Sequence, residues 1–444
     1  MRNRILIASA IGAVALLAAG AVAIAGPNTS STASALPKTC GSLFYKGSGS
    51  PKFIIVSDLP LQAAGRAQNL LMEQAIRYVL EKQYNFKAGK YTVGYQGCDD
   101  STAQAGRYDP AVCSSNARAY ASTTNVIGVL GTFNSGCAKL IIPILNRAPG
   151  GRVGMVSSAN TAVGLTHNAP WNDPGEPNIY YPTKKRNYVR VAASDDYQGP
   201  AMADYFGKKL KKKSVYILQD NTTFGKGVAQ GFQSRANKLG LKVLAFDAWS
   251  EKATDYTAIA QKIKDSGAQS VYLGGLVCDN GVKLIKDLRS VLGPTIPMGG
   301  PDGWTPESAT LAAGSAAQGF YISYAGQPLG TVGPKGKAFI AGLRAYAKVK
   351  GQMPPYPVYQ GQSAQVLLDA IARSNGTRSS VSDQLFKTNV KNGIMGTFHF
   401  DQSGDIAPNK YITIEVLKGN TGVAAVAELP PSEEAAPEVA AKAE

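Results

Sequence analysis

Ser135 stands in the Gly-flanked turn Gly131-Thr132-Phe133-Asn134-Ser135-Gly136, directly ahead of an apolar stretch with helical spacing. The start of a helix presents unpaired N–H groups and the positive end of its dipole, which suits an anion. Simple capping of the helix is the alternative role for this serine. Asp302, in Gly300-Pro301-Asp302-Gly303, is a carboxylate that needs a cation if buried; otherwise it is an ordinary turn residue. Phe133 and Trp304 adjoin the same two turns and serve either as pocket walls or as packing. The chain has two histidines, His167 and His399, so HExxH and multi-histidine zinc chemistry are excluded. There is no GxSxG elbow, and neither histidine is near Ser135 in the chain. Gly330 to Lys337 has the wrong spacing for a phosphate loop and continues with Ala338 instead of Ser or Thr. Cys40, Cys98, Cys113, Cys137 and Cys278 match no CxxC metal pattern; one or two disulfides with a thiol left over is the plainer reading. The residues therefore favour binding over turnover, with no enzyme activity, cofactor or metal expected.

The elements that must hold these turns alternate along the chain. Strands are predicted at Phe53–Val56, Tyr91–Tyr95, Val126–Leu130 and Val153–Val156, with helices at Arg66–Gln83, Pro110–Ser122 (Asp109 capping) and Cys137–Arg147. The pattern restarts with strands at Ser214–Leu218, Leu241–Phe246, Ser270–Leu273 and near Ile296. Helices at Gly225–Leu239, Tyr256–Ser266 and Gly281–Val291 lie between them. Short apolar strands alternating with longer helices predict an α/β fold of two Rossmann-like lobes, each a parallel sheet flanked by helices. An ungapped internal repeat supports two related lobes: Gly131 aligns with Gly274, Leu145 with Leu288, Gly150 with Gly293 and Met155 with Met298. Ligands of open α/β sheets sit beyond the carboxyl ends of the strands. The site is therefore expected among loops 132–137, 157–161, 275–280 and 300–304.

Composition sets the setting. With 44% hydrophobic residues in 444, the chain has ample apolar content to fold, and its length implies more than one domain. Arg2 and Arg4 precede an uncharged apolar run, Ile5 to Ala25, that ends small-x-small, the pattern of a secretory signal. Retained, the run is long enough to tether the protein to a membrane. Its removal lowers the net charge of +16 by two. The expected product is exported to the periplasm or cell envelope, where disulfides persist. The Lys208–Lys213 cluster reads as a solvated loop, and no nucleic-acid partner is expected.

Several stretches together resemble the extracytoplasmic solute-binding proteins of ABC importers, of the leucine/isoleucine/valine-binding type. They are Gly131 to Gly136, Met155-Val156-Ser157-Ser158-Ala159-Asn160-Thr161, Asp196-Tyr197-Gln198-Gly199, Asn221 to Gly227, Gly300 to Gly303 and Gly396-Thr397-Phe398-His399-Phe400-Asp401. The resemblance implies a flytrap whose chain crosses a hinge near 190–195, 320–325 and 398–402. The expected organisation is a signal over 1–25, a linker over 26–49, a first lobe of 50–192 plus 324–398, a second of 193–323 plus 399–426, and a tail from 427 to 444. It implies that Ser135 with Gly136, Ala159 through its backbone, and Thr161 hold a ligand carboxylate while Asp302 meets its ammonium. Where the family commonly has tyrosines, this chain has Ala64, Phe224 and Leu276, which favours an apolar ligand group. Branched-chain amino acids come first, then other apolar or aromatic amino acids, then amides or small carboxylates. The implied partners are that small molecule and a membrane permease, with the protein a monomer; a ligand-sensing module of the same fold is the alternative. The resemblance also implies a Cys98–Cys137 disulfide, hence Cys40 with Cys113 and Cys278 free. Residues 167–186 are an extra segment, read as a surface elaboration rather than a lid.

Overall fold

Why these residues form two sheets is visible in the burial of single strands. In β1 (Phe53–Leu59), Phe53 and Ile55 enter one apolar core while Ile54 and Val56 enter another on the opposite face. A strand covered on both faces reads as a continuous apolar run, as Phe53 to Val56 does; the buried Ser57 and Asp58 that follow are hydrogen-bonded, to Tyr95 and to Asn116 and Tyr120. The computed structural model describes residues 36–62, 65–103, 107–408 and 411–419, together with the backbone of strand 422–429. The expected signal, the linker as far as residue 35, Ala64 and the tail beyond 429 lie outside the described residues. All the rest falls within one unit that begins at Ser34.

The first sheet contains β1, β2 (Lys87–Ala88), β3 (Tyr91–Asp99), β4 (Val126–Gly131), β5 (Gly154–Ser157) and β6 (Tyr188–Arg190), in the order β2-β3-β1-β4-β5-β6. All its pairings are parallel except β2 with β3. Helices α1 (Arg66–Tyr78), α2 (Pro110–Ser122) and α3 (Ser135–Asn146) connect them. Asp109 caps α2, its carboxylate accepting from the N–H groups of Ala111 and Val112, and Pro110 opens the helix.

The second lobe repeats the pattern with α4 (Asp195–Asp204), β7 (Ser214–Gln219), α5 (Thr223–Leu239), β8 (Lys242–Ala248), α6 (Thr257–Asp265), β9 (Val271–Gly274), α7 (Gly281–Leu292), β10 (Met298–Gly300), α8 (Glu307–Leu311) and β11 (Phe320–Tyr324). The chain then returns to the first core with α9 (Pro334–Tyr346), α10 (Pro355–Arg373) and α11 (Arg378–Leu385). A small antiparallel sheet follows: β12 (Asn389–Gly393), β13 (Gly396–Phe400) and β14 (Ile406–Ala407). Strands β15 (Ile412–Lys418) and β16 (Gly422–Leu429) finish the second sheet, in the order β16-β15-β11-β10-β9-β7-β8.

Three passages link the lobes, and Ala192, Ala193, Ala325 and Ile412 from all three pack together in one small cluster. The third comes later than expected. Phe398, Phe400 and Ile406 belong to the first core, so the boundary placed at 398 cuts through a hairpin, and the chain crosses between Ala407 and Ile412. Buried charges brace this region. Arg190 Nε lies 2.6 Å from Asp405 Oδ1, and its other nitrogens donate to the carbonyls of Asn160 and Ala162 and to Thr166 Oγ1. His167 sits 3.0 Å from Asp196 and 2.8 Å from Asp405. Burial opposes its charge, but the two carboxylates outweigh it and raise its pKa to about 9.

Further corrections follow from packing. Residues expected to be linker instead lie along β3, with Cys40 bridging Cys98 and Phe44 bridging Tyr95. That placement makes the disulfide Cys40–Cys98, and the packing of α2 on α3 makes the second Cys113–Cys137. The expected Cys98–Cys137 and Cys40–Cys113 pairs are therefore overturned, while Cys278 is free. Strand β16 runs to Leu429, past the point where the tail was expected to begin. The extra segment 167–186 is docked: Tyr180 and Tyr181 enter the first lobe's second core, and Glu176 pairs with Lys139 at 2.6 Å.

Candidate functional site

The four expected loops all leave carboxyl ends of parallel strands, β4 and β5 in one lobe and β9 and β10 in the other. Ser135 opens α3 and is 2% exposed. Its hydroxyl oxygen accepts from the N–H groups of Thr161 (3.3 Å) and Ala162 (3.2 Å), so it joins the two first-lobe loops. Ala159 follows a turn shaped by Ser157, whose Oγ accepts from the N–H groups of both Ala159 and Asn160. Thr161 Oγ1 is buried and has no hydrogen-bond partner among the described residues. Gly136 lets the Tyr108 hydroxyl approach closely: a Cβ there would lie 2.0 Å from it, and the tyrosine would have to shift.

Across the cleft, Asp302 is 5% exposed and reaches both the hinge and the other lobe. Gln198 of α4 donates to its Oδ1 at 2.6 Å, and the Tyr356 hydroxyl of α10 donates to its Oδ2. Burial pushes the Asp302 carboxyl up to about 7, despite these donors. Asp195, in the first turn of α4, is buried with both carboxylate oxygens unpartnered among the described residues. Burial and then the neighbouring Asp302 hold it well above the usual carboxylate range. Tyr272, whose hydroxyl is also unpartnered, feels both carboxylates. The arrangement is a pair of buried acids beside a free hydroxyl, with little protein cation to neutralise them. A cationic group entering here would meet acceptors prepared for it.

Apolar surface completes the surroundings. Phe224 and Leu276 form a small cluster with Val228 at the strand ends of the second lobe. Gly303 admits them: a Cβ on it would lie 2.7 Å from the Phe224 ring and 2.3 Å from the Gly275 carbonyl. From the first lobe, Phe133 meets the Tyr356 ring edge-on at 5.5 Å. Trp304 does not join them. Its indole is fully buried against Trp249 and Phe320 in the second core and donates to the Leu273 carbonyl at 2.8 Å. An indole whose N–H finds its partner inside its own lobe is a core residue, and its expected place in the site is withdrawn.

Three residues of this cluster had no role assigned from sequence. Gln198 lay within a motif stretch, and Asp195 fell at the end of an expected hinge crossing. Tyr356 comes from a helix far along the chain, and no local signal marks it.

A family model described as periplasmic binding protein matches residues 102–420. An amino acid binding protein of Pseudomonas aeruginosa is 30% identical over 230 residues, 51% of this chain and 59% of that one. A leucine-, isoleucine-, valine-, threonine- and alanine-binding protein of the same species is 25% identical over 232 residues, 52% of this chain and 61% of that one. The chain thus spans roughly six-tenths of the length of these relatives. A leucine binding protein of Thermotoga maritima shares the fold, with a TM-score of 0.72, 21% identity and coverage of 85% of this chain and 99% of that one. So does a solute binding protein of Rhodopseudomonas palustris solved with benzoate, with a TM-score of 0.68, 17% identity and coverage of 85% and 96%.

Proposed function

Because the chain belongs to the periplasmic binding protein family, we propose that it captures an apolar amino acid between its lobes and, as a monomer, delivers it to the membrane permease of an ABC importer. A protein of this family works outside the cytoplasm, where its two disulfides persist. The observation that carries the reading is Asp302, buried in one lobe and facing Tyr356 of the other, with the unpartnered oxygens of Asp195 beside it. In this reading the start of α3 at Ser135 and Gly136, with the Ala159 backbone and Thr161, takes the ligand carboxylate. Asp302 takes the ammonium, and Phe224 and Leu276 face the side chain. The ligand then favours the closed arrangement because only there do both half-sites reach it.

The test is a thermal-shift screen over the amino acids and a set of aromatic carboxylates, since a ligand specific for the native state raises the melting temperature. A shift with leucine, isoleucine or valine supports the proposal. A shift with benzoate-type acids alone replaces the ammonium reading with a carboxylate-only one. Chemical conversion of any hit would refute a binding protein outright.

A further inference from the structure

At the rim of the cleft, next to the Leu276 and Gly136 edge of the site just described, Arg107 of the first lobe reaches Asp279 of the second. Its Nη1 lies 2.6 Å from Asp279 Oδ2, and the Asp279 side chain is only 3% exposed. They line a groove of about 720 Å³ between the lobes, with Tyr108 and Asp109 on one side and Glu251 and Cys278 on the other. Asp279 is fixed in place by its own lobe: its N–H donates to the Leu276 carbonyl, and its carbonyl accepts from the Trp249 indole at 2.8 Å. Its neighbour there is another buried acid, Asp220, already held by the N–H groups of Thr222 and Leu276 and by the Thr222 hydroxyl. Burial and then Asp220 push the Asp279 carboxyl up to about 8 even with Arg107 against it, so the two acids share a proton. Lys252 of the second lobe lines the same groove, but the cation in contact with Asp279 is Arg107 of the first lobe.

We infer that Arg107 and Asp279 form an interlobe latch that stabilises the closed arrangement and so prolongs retention of whatever the cleft holds. The physical basis is asymmetric. With the lobes together, the Arg107 guanidinium lies against the acid pair and favours its negative charge. With the lobes apart, the acid pair loses the cation that touches it and keeps only Lys252 elsewhere along the groove, so its remaining negative charge is less well compensated. The latch presumes that the lobes open and close, as in the proposed function, but does not depend on the ligand's identity.

Nitroxide labels on the exposed positions Lys337→Cys of α9 and Lys264→Cys of α6, in a Cys278→Ala background, would report the interlobe distance by double electron–electron resonance on the full chain. Measurements are made with and without saturating L-leucine. Arg107→Gln is expected to lower the ratio of short- to long-distance populations roughly tenfold, Arg107→Lys to retain most of it, and added salt to weaken the unsubstituted pair in the same direction. Unchanged populations in Arg107→Gln would overturn the latch. So would equal losses in the Gln and Lys variants, or an unsubstituted protein found only at the long distance. If L-leucine changes nothing while Arg107→Gln still shifts the populations, the latch stands and the amino-acid reading fails.

Discussion

Replacing Asp302 with Asn separates an amino-acid ligand from one that lacks an ammonium, because the substitution acts on binding and on stability with opposite signs. Asn keeps the shape and can still accept from Tyr356, so the cleft geometry is expected to persist. What it loses is charge. Truncating one partner of a buried, hydrogen-bonded ion pair costs about 2–5 kcal/mol, or about 30-fold to 5,000-fold in affinity. The carboxyl, however, carries a penalty of its own. Burial moves its pKa from 3.8 to about 7. Keeping it charged at neutral pH without a facing cation therefore costs the folded protein about 4 kcal/mol relative to the unfolded chain. Asp302→Asn removes that penalty. The expected outcome by calorimetry is a Kd for leucine at least about 30-fold weaker, with a melting temperature in its absence no lower than that of the unsubstituted protein. Benzoate, which has no ammonium, should bind Asp302→Asn as well as the unsubstituted protein or better. A leucine Kd within about threefold of the original, well short of the tenfold that 1.4 kcal/mol represents, would refute the ammonium role of Asp302.

Three further outcomes follow from buried groups. Arg190→Met should cost about 3 kcal/mol in denaturant unfolding, since it strips the buried Asp405 of its guanidinium and leaves His167 as its remaining cation; a loss below about 1 kcal/mol would contradict the bracing role of that pair. Removing Cys113–Cys137, which closes a sequence separation of 24, should cost about 3 kcal/mol, and tryptic peptides mapped without reduction should show that pair and Cys40–Cys98 with Cys278 unlinked. Thermal stability should fall as pH rises through neutrality. Burial raises Asp58 and Asp302 to about 7 and Glu415 to about 8, so the folded protein holds protons that the unfolded chain has released above about pH 4. The contribution of His167, present below its ordinary pKa of 6.5 and lost as pH rises through about 9, has the same sign. A melting temperature that rises between about pH 5 and about pH 9 would show these shifts to be wrong.

What could be read in the chain divides according to how far apart the cooperating residues are. Strands and helices were legible because their causes are local: β1 opens with four apolar residues that cover both faces, and Asp109-Pro110 starts α2 with residues that cap and open a helix. Helix α3 begins two residues before the apolar spacing does, because Ser135 and Gly136 enter its first turn without contributing to its apolar face. The disulfides were not legible. Cys98 pairs with Cys40 only because residues 40–44 lie along β3, and Cys113 meets Cys137 only because α2 packs on α3.

The third crossing failed for a different reason. In β13, Phe398 and Phe400 point inward and Thr397 and His399 outward, a pattern that fixes a face but not which of two similar lobes it covers. Trp304 and Asp302 stand two residues apart in one short turn, yet one ring enters the core and one carboxylate the cleft; only the position of Leu273, whose carbonyl receives the indole N–H, separates them. Such a site is assembled from both lobes, so each half carries its own local signature while their meeting carries none. Asp302 and Ser135 were visible as turn residues, whereas Tyr356, which bridges the halves, was visible only once the lobes were set against each other. Thr161 and Asp195, whose side-chain oxygens are unpartnered by geometry among the described residues, likewise come side by side only in the fold. That property belongs to the fold, and no spacing in the chain encodes it.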